Sequence, residues 1–215
     1  MPETTARPHV VVIGGGFAGL YLARGLARAE VQVTLVDRRN HHLFQPMLYQ
    51  VAAAALSPKD IAAPIRSILR NQANVEVLLA EVTRVDADAR LVHLDVGTQL
   101  AYDYCVVATG ARHSYFGHTE WERFAPGLKS VEDALDIRRR ILIAFERAER
   151  EPDPAKRHQY LTFVVIGGGA IGCEFASTLA DLGASVTILE ALPKILPGCD
   201  EDVTRAVLQS FKKKG

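Results

Sequence analysis

Apolar residues in this chain come in short dense runs separated by glycines or by charged stretches. Val10 to Ile13 is an unbroken block of four apolar β-formers, which predicts a strand. It runs into Gly14-Gly15-Gly16-Phe17-Ala18-Gly19, after which Leu20, Leu22, Ala23 and Leu26 recur at helical spacing. Val31, Val33, Leu35 and Val36 then predict a second buried strand ending in Asp37. The same order returns late in the chain: Leu161 to Ile166, a turn Gly167-Gly168-Gly169-Ala170-Ile171-Gly172, an apolar helix, and Val186 to Leu189 ending in Glu190.

Between the two copies the pattern changes. Residues 38–56 read as a turn followed by a short apolar helical stretch, and Ser57-Pro58 reads as the cap and first residue of a helix near Asp60 to Arg70. From Val75 to Tyr104 apolar and polar residues alternate between polar turns, which predicts a sheet strand leading into a small antiparallel meander. Cys105 to Gly110, CVVATG, is again a buried strand stopping at small residues. Ser130 with Asp133 three residues on makes a capping-box start for a long amphipathic helix, and the Pro- and charge-rich stretch after Glu151 breaks it. A last helix is expected near Glu201 to Lys213.

Each fingerprint glycine has a physical task. Gly14 makes a tight turn, Gly16 lets the backbone approach a pyrophosphate, and Gly19 lets helix pack on strand. Free N–H groups at the helix start hold phosphates, and Asp37 can accept from a ribose hydroxyl. The motif sits between strand and helix as that chemistry requires, and it recurs without insertion: Gly14 to Gly167 and Asp37 to Glu190 are both 153 positions apart. Two complete units of this kind point to dinucleotide binding in both. In a doubly wound sheet ligands lie beyond the carboxyl ends of the strands, which places Thr109 and Gly110 on the same edge as Gly14 and Asp37. The second copy offers only two strands where a mononucleotide-binding half needs three, so the sequence reads as the N-terminal portion of a longer protein.

Composition narrows the classes. At 215 residues and 48% hydrophobic content the chain can bury a real core. Lys plus Arg and Asp plus Glu are equal at 25 each, so no strong field favours nucleic acid or an anionic bilayer as a general partner. Arg138-Arg139-Arg140 and Lys212-Lys213-Lys214 read as solvated faces, and His113 and His118 as surface residues. Cys105, Cys173 and Cys199 are too few and too scattered for a disulfide framework, which suggests a reducing compartment. The N-terminus MPETTARPH shows no apolar signal region, and no apolar run approaches a membrane span. His41-His42 has no Cys or carboxylate at ligand spacing, so no metal is expected.

The order of glycine fingerprint, small meander, ATG turn and second fingerprint resembles the two-dinucleotide flavoprotein superfamily. Within it, Asp37 to Pro58 and Ala101 to Gly117 resemble the type II NADH:quinone oxidoreductases, a resemblance that covers residues 9 to 160. Ile166 to Asp202 is more similar to the NAD domains of dihydrolipoamide dehydrogenases and mercuric reductases. The resemblance implies an α/β fold: a Rossmann-like FAD-binding domain with a parallel sheet and meander (1–118), a helical connection (119–158) and a partial second Rossmann-like NAD-binding domain (159–215). It implies FAD at Gly14, Gly15, Gly16, Phe17, Ala18, Gly19, Asp37, Arg38, Gln45, Val82, Thr109 and Gly110. NADH would lie at Gly167, Gly169, Ala170, Ile171, Gly172 and Glu190, with Glu174, two residues past Gly172, as the catalytic ionisable group near the nicotinamide. Disulfide reductases of the superfamily carry two cysteines separated by four residues just after the first ribose-binding acid, and residues 41–57 contain none. The expected acceptor is therefore a quinone, with a lipoamide-type reductase and a non-catalytic FAD and NAD module as alternatives. The resemblance further implies a place in a respiratory chain, at the cytoplasmic side of the cell membrane. Peripheral membrane contact is expected through a C-terminal region beyond this chain, and a homodimer is compatible with the full-length protein.

Overall fold

β1 (His9–Ile13) is the strand on which the first half of the chain is assembled. The computed structural model describes residues 7–111, 113–115 and 117–214. Residues 1–6 of the polar N-terminus, Arg112 and Phe116 of the run 101–117, and Gly215 lie outside the described residues. In chain order, β1 is followed by α1 (Phe17–Gly25), β2 (Gln32–Asp37), β3 (His41–Leu43), α2 (Leu48–Ala52), α3 (Pro58–Ile61), β4 (Ala62–Pro64) and α4 (Ile65–Leu69). Then come β5 (Val75–Leu79), β6 (Val82–Asp86), β7 (Leu91–Leu94), β8 (Gln99–Ala101) and β9 (Tyr104–Val107). The remaining elements are α5 (Val131–Arg150), α6 (Pro154–Tyr160), β10 (Thr162–Ile166), α7 (Ala170–Asp181), β11 (Ser185–Leu189) and α8 (Glu201–Lys214).

The chain divides into two compact units, Met1–Phe44 with Lys59–Arg112, and Gln45–Pro58 with His113–Gly215. The first holds a four-stranded parallel sheet in the order β5-β2-β1-β9, and a separate three-stranded antiparallel meander β6-β7-β8. Alternation along β1 explains why its apolar run is unbroken. Val10 and Val12 join Leu20, Ala23, Ile65 and Leu69 in one core cluster, under α1 and α4. Val11 and Ile13 join Val36, Ala80, Val92 and Leu94 in the other, under the meander. A parallel strand covered on both faces has no polar side to show.

Residues 60–70 do not form one helix. Pro64 lacks an N–H and disfavours helical backbone at Ala63, so the segment opens at Ala62–Pro64 into β4, which pairs antiparallel with β3. In the second unit α5 begins with the expected capping box: Asp133 N donates to Ser130 Oγ at 3.1 Å, and Ser130 N donates to Asp133 Oδ2 at 2.9 Å. α6 was not expected from the sequence. Asp153 caps it by accepting from Ala155 N at 2.9 Å, with Pro154 at its first position, so the stretch that breaks α5 also starts a new helix. α2 and α5 pack in this same unit, which holds residues 45–58 and 131–150 together with the second glycine turn. β10 pairs in parallel with β11 alone among the described residues, and Val164 and Ile166 of β10 are largely exposed. Among the described residues no helix is long and apolar enough to cross a membrane.

One buried side chain fixes how α1 hands over to β2. Asn74 is 8% exposed, and its Nδ2 donates to the carbonyls of Leu26 at 3.0 Å and Val31 at 3.1 Å, with Ala29 at 3.4 Å. Gln72 Nε2 donates to Asn74 Oδ1 at 3.0 Å and to Ala23 O at 2.7 Å. Replacing Asn74 by Leu keeps the branched outline but strips those carbonyls of their donor. Asn74→Leu is expected to cost about 3 kcal/mol of stability, read as a shifted urea midpoint at unchanged slope.

Candidate dinucleotide-binding sites

In the first unit the carboxyl ends of β1, β2 and β9 meet at the glycine turn. Gly14 N donates to Val36 O at 2.8 Å and Ala108 N to Ile13 O at 2.8 Å, which holds the three strand ends together. Gly14 has φ of +108°, and a Cβ there would strike the Ala108 carbonyl and crowd Thr109 Cα at 3.3 Å, so no other residue fits. Gly19 is required by close approach, because a Cβ would collide with the Gly14 carbonyl.

Gly16 is different. Its φ of −70° is open to any residue, and a Cβ would meet nothing within 4 Å. No atom of the described residues calls for glycine here. The empty space lies at the N-cap of α1, which has no side-chain cap, so the first N–H groups of the helix are left for a ligand. That combination suits an anion seated against bare backbone, and it is the fit expected for a pyrophosphate.

Asp37 ends β2 and reaches back to the turn. Its Oδ2 accepts from Gly15 N at 2.6 Å and its Oδ1 from Arg39 N at 2.7 Å. Each carboxylate oxygen keeps a second lone pair, so accepting from a sugar hydroxyl remains open.

The second unit repeats the device. Gly168 N donates to Glu190 Oε2 at 2.6 Å, and Leu192 N to Glu190 Oε1 at 3.0 Å. Gly167 has φ of +104°, a Cβ on Gly172 would strike the Gly167 carbonyl, and Gly169 faces open space with φ of −70°. Hydrogen bonds from the Leu192 and Gly168 amides hold the Glu190 carboxyl below its ordinary range, so it is charged at neutral pH. The turn also borders an apolar cleft of about 920 Å³, lined by Tyr115, Trp121, Phe124, Phe163 and Ile171 among others.

The structure brings Gly14, Gly15, Gly16, Phe17, Ala18, Gly19, Asp37, Arg38, Thr109 and Gly110 to one edge of the first sheet, with Gly16, Phe17 and Ala18 exposed. Val82 begins β6 and packs on the core cluster under the meander. Gln45 falls in the second unit, where its Nε2 donates to Lys129 O at 3.2 Å. Gly167, Gly169, Ala170, Ile171 and Gly172 form the turn and start of α7, with Glu190 bonded to it through Gly168 N. Glu174 is exposed; its position two residues past Gly172 suggests the first turn of the helix, where a carboxylate would favour the helix start, but it is the fifth residue of α7 and lies just beyond that turn. His113 does more than lie on the surface: it lines the apolar cleft and meets Tyr115 edge-on at 5.1 Å.

The model of the pyridine nucleotide-disulphide oxidoreductases matches residues 8–215. This chain belongs to that family. Family members close to it in sequence include the type II NADH:quinone oxidoreductase Ndh of Mycobacterium tuberculosis, 45% identical over 99% of this chain and 51% of the relative. The external alternative NADH-ubiquinone oxidoreductase of Yarrowia lipolytica mitochondria is 32% identical over 92% of this chain and 38% of its own length. The chain thus spans about half the length of the curated relatives it matches, and the first match includes the part after residue 160. The fold is shared with NDH2 of Plasmodium falciparum in complex with NADH, at a TM-score of 0.86 and 23% identity over 97% of this chain and 46% of that one.

The Glu190 bonds make a pH-dependent prediction. A carboxyl held below its ordinary range stabilises the fold above the unfolded-state value of about 4.3, and that contribution is lost as pH falls through the folded-state value. Glu190→Gln is therefore expected to lower the thermal midpoint at pH 7, with the gap to wild type closing below about pH 4. A gap that stays constant down to pH 3 would show that the carboxylate charge is not what holds the turn.

Proposed function

We propose that this chain forms the nucleotide-binding part of an NADH-oxidising flavoprotein that passes electrons to a quinone. The first unit takes FAD and the second NADH. The observation that carries the reading is the pair of glycines, Gly16 and Gly169, that no contact among the described residues requires, each beside a carboxylate bonded to the preceding glycine. Flavin bound in such a protein accepts hydride from the nicotinamide and returns electrons to a second substrate.

The chain's own residues supply position and charge. The N–H groups at the starts of α1 and α7 face the two pyrophosphates, and Asp37 accepts from the ribose of FAD. Glu190, charged at neutral pH, accepts from a 2′-hydroxyl and repels a 2′-phosphate, while Ala191-Leu192-Pro193 places no Arg beside it. NADH is therefore favoured over NADPH. Glu174, exposed on α7, is the ionisable group offered to the nicotinamide.

The quinone rests on the similarity to the quinone oxidoreductases of Mycobacterium tuberculosis and Yarrowia lipolytica, and on the cysteines. A thiol relay needs two adjacent sulfurs beside the flavin. Cys105 stands on β9 in the first unit, and Cys173 and Cys199 belong to the second. A lipoamide-type reductase is the competing reading, and membrane contact at the cytoplasmic face would come from residues beyond this chain.

Three measurements test this. Gly16→Val should lower the unfolding midpoint of the apoprotein only by the small cost of Val at an N-cap, since a Cβ meets open space there, and abolish the 450 nm flavin band of the purified protein. Glu190→Ala should narrow the NADH preference by roughly tenfold, the value of one charge-assisted contact. An acceptor screen on the full-length protein should give turnover with a short-chain quinone; activity with lipoamide alone would overturn the quinone reading.

A further inference from the structure

His42 is one of the two adjacent histidines of β3, and nothing in the glycine fingerprint assigns it a task. Its Nδ1 lies 3.0 Å from the Gly15 carbonyl oxygen. A carbonyl cannot donate, so Nδ1 carries the proton and Nε2 is free to be the acceptor of the neutral ring. The ring is half-buried and meets Phe17, the first residue of α1, edge-on at 5.0 Å, while Phe17 in turn meets Phe44 at 5.6 Å. β3 is itself braced. His42 pairs with Ala63 on β4, Phe44 N donates to Ile61 O at 2.8 Å, and Ile65 N to Asn40 O at 3.0 Å.

The consequence follows from peptide geometry. In a trans peptide the C=O of one residue and the N–H of the next point in opposite directions. The Gly15 carbonyl and the Gly16 N–H share one such plane, so tying the carbonyl to His42 turns the Gly16 N–H the other way. A flip of that plane would replace a donor with a carbonyl oxygen at the anion's position, and a carbonyl repels phosphate. Asp37 fixes the preceding plane, since its Oδ2 holds the Gly15 N–H.

We propose that His42 is a positioning residue for the flavin pyrophosphate: its Nδ1–H holds the Gly15 carbonyl away, so that the Gly16 N–H is presented to the anion. The second unit supports this with different atoms. There the Gly168 carbonyl accepts from Leu196 N at 2.6 Å and from Cys173 Sγ at 3.3 Å, again leaving the next N–H, that of Gly169, turned oppositely. Both turns lock the same plane. Only the first does so with a ring nitrogen.

This inference rests on the assignment of FAD to the first unit, and the test separates the two. The full-length protein is stripped of flavin and titrated with FAD by fluorescence quenching, as wild type, His42→Asn and His42→Leu. Asn and Leu have the same shape, and only Asn offers a donor near the position of Nδ1. Loss of one hydrogen bond and freedom of the plane to flip should weaken FAD about tenfold in His42→Leu, whereas His42→Asn should stay within about threefold of wild type. Apoprotein unfolding midpoints are read alongside: FAD affinity that follows the midpoint across the variants, and not the presence of a donor, marks a packing role and overturns the proposal. Should His42→Leu fail to fold, His42→Asp has the size of Asn with acceptors only, and must bind FAD more weakly than Asn. Equal FAD affinity across Asn, Leu or Asp and wild type overturns the proposal while leaving the FAD assignment standing. Failure of wild type to take up FAD refutes the assignment, and the proposal with it.

Discussion

A carboxylate at the end of the second strand, bonded back to the middle glycine of the turn after the first, is the interaction on which both halves of this protein depend. Asp37 and Glu190 differ by a methylene, yet both reach the glycine N–H at 2.6 Å and both use the other oxygen on the amide two residues further along. The carboxylate thus ties two strand ends and the loop that follows. A charged acceptor makes these bonds stronger than neutral ones. Each oxygen carries one of these bonds and keeps a second lone pair, so the group that holds the turn is not exhausted by it.

From that point the first sheet is built outward. The bond fixes where β1 and β2 end, their register follows residue by residue from His9 opposite Gln32 to Ile13 opposite Val36, and β9 closes on the other side with the Ala108 carbonyl against Gly14. The second sheet starts from the same bond but its two strands are covered less. β1 is nearly all buried where β10 exposes Val164 and Ile166.

Much of this was legible in the sequence. The duplicated fingerprint, its spacing, the alternating meander and the capping box of α5 all depend on local chemistry that residues announce: glycine where φ is positive, alternation where one face is wet, Ser and Asp three apart at a helix start. The misses share a cause. Residues 60–70 carry helical periodicity, and the one signal against it, Pro64, was outweighed until pairing with β3 decided the matter. α6 hid inside a stretch that reads as a breaker. His42 could be weighed only as a metal ligand, because its partner is a main-chain carbonyl 27 positions away, and a backbone acceptor leaves no mark in sequence. Membership of 45–58 in the second unit was equally invisible, since it depends on α5, far along the chain.

That last arrangement bears on how the protein is made. The chain leaves the first unit after Phe44, re-enters it at Lys59 and leaves again after Arg112, so neither unit is one continuous stretch. Leu48, Val51 and Ala52 of α2 are buried in the finished fold, where α2 packs with α5. A ribosome delivers α2 long before α5, and at roughly 5 to 20 residues per second the apolar face of α2 waits for several seconds without its partner. The first unit can close around that segment as an extruded loop, but the second cannot begin its core until residue 131 has emerged. During synthesis Leu48, Val51 and Ala52 are thus apolar surface made early and covered late.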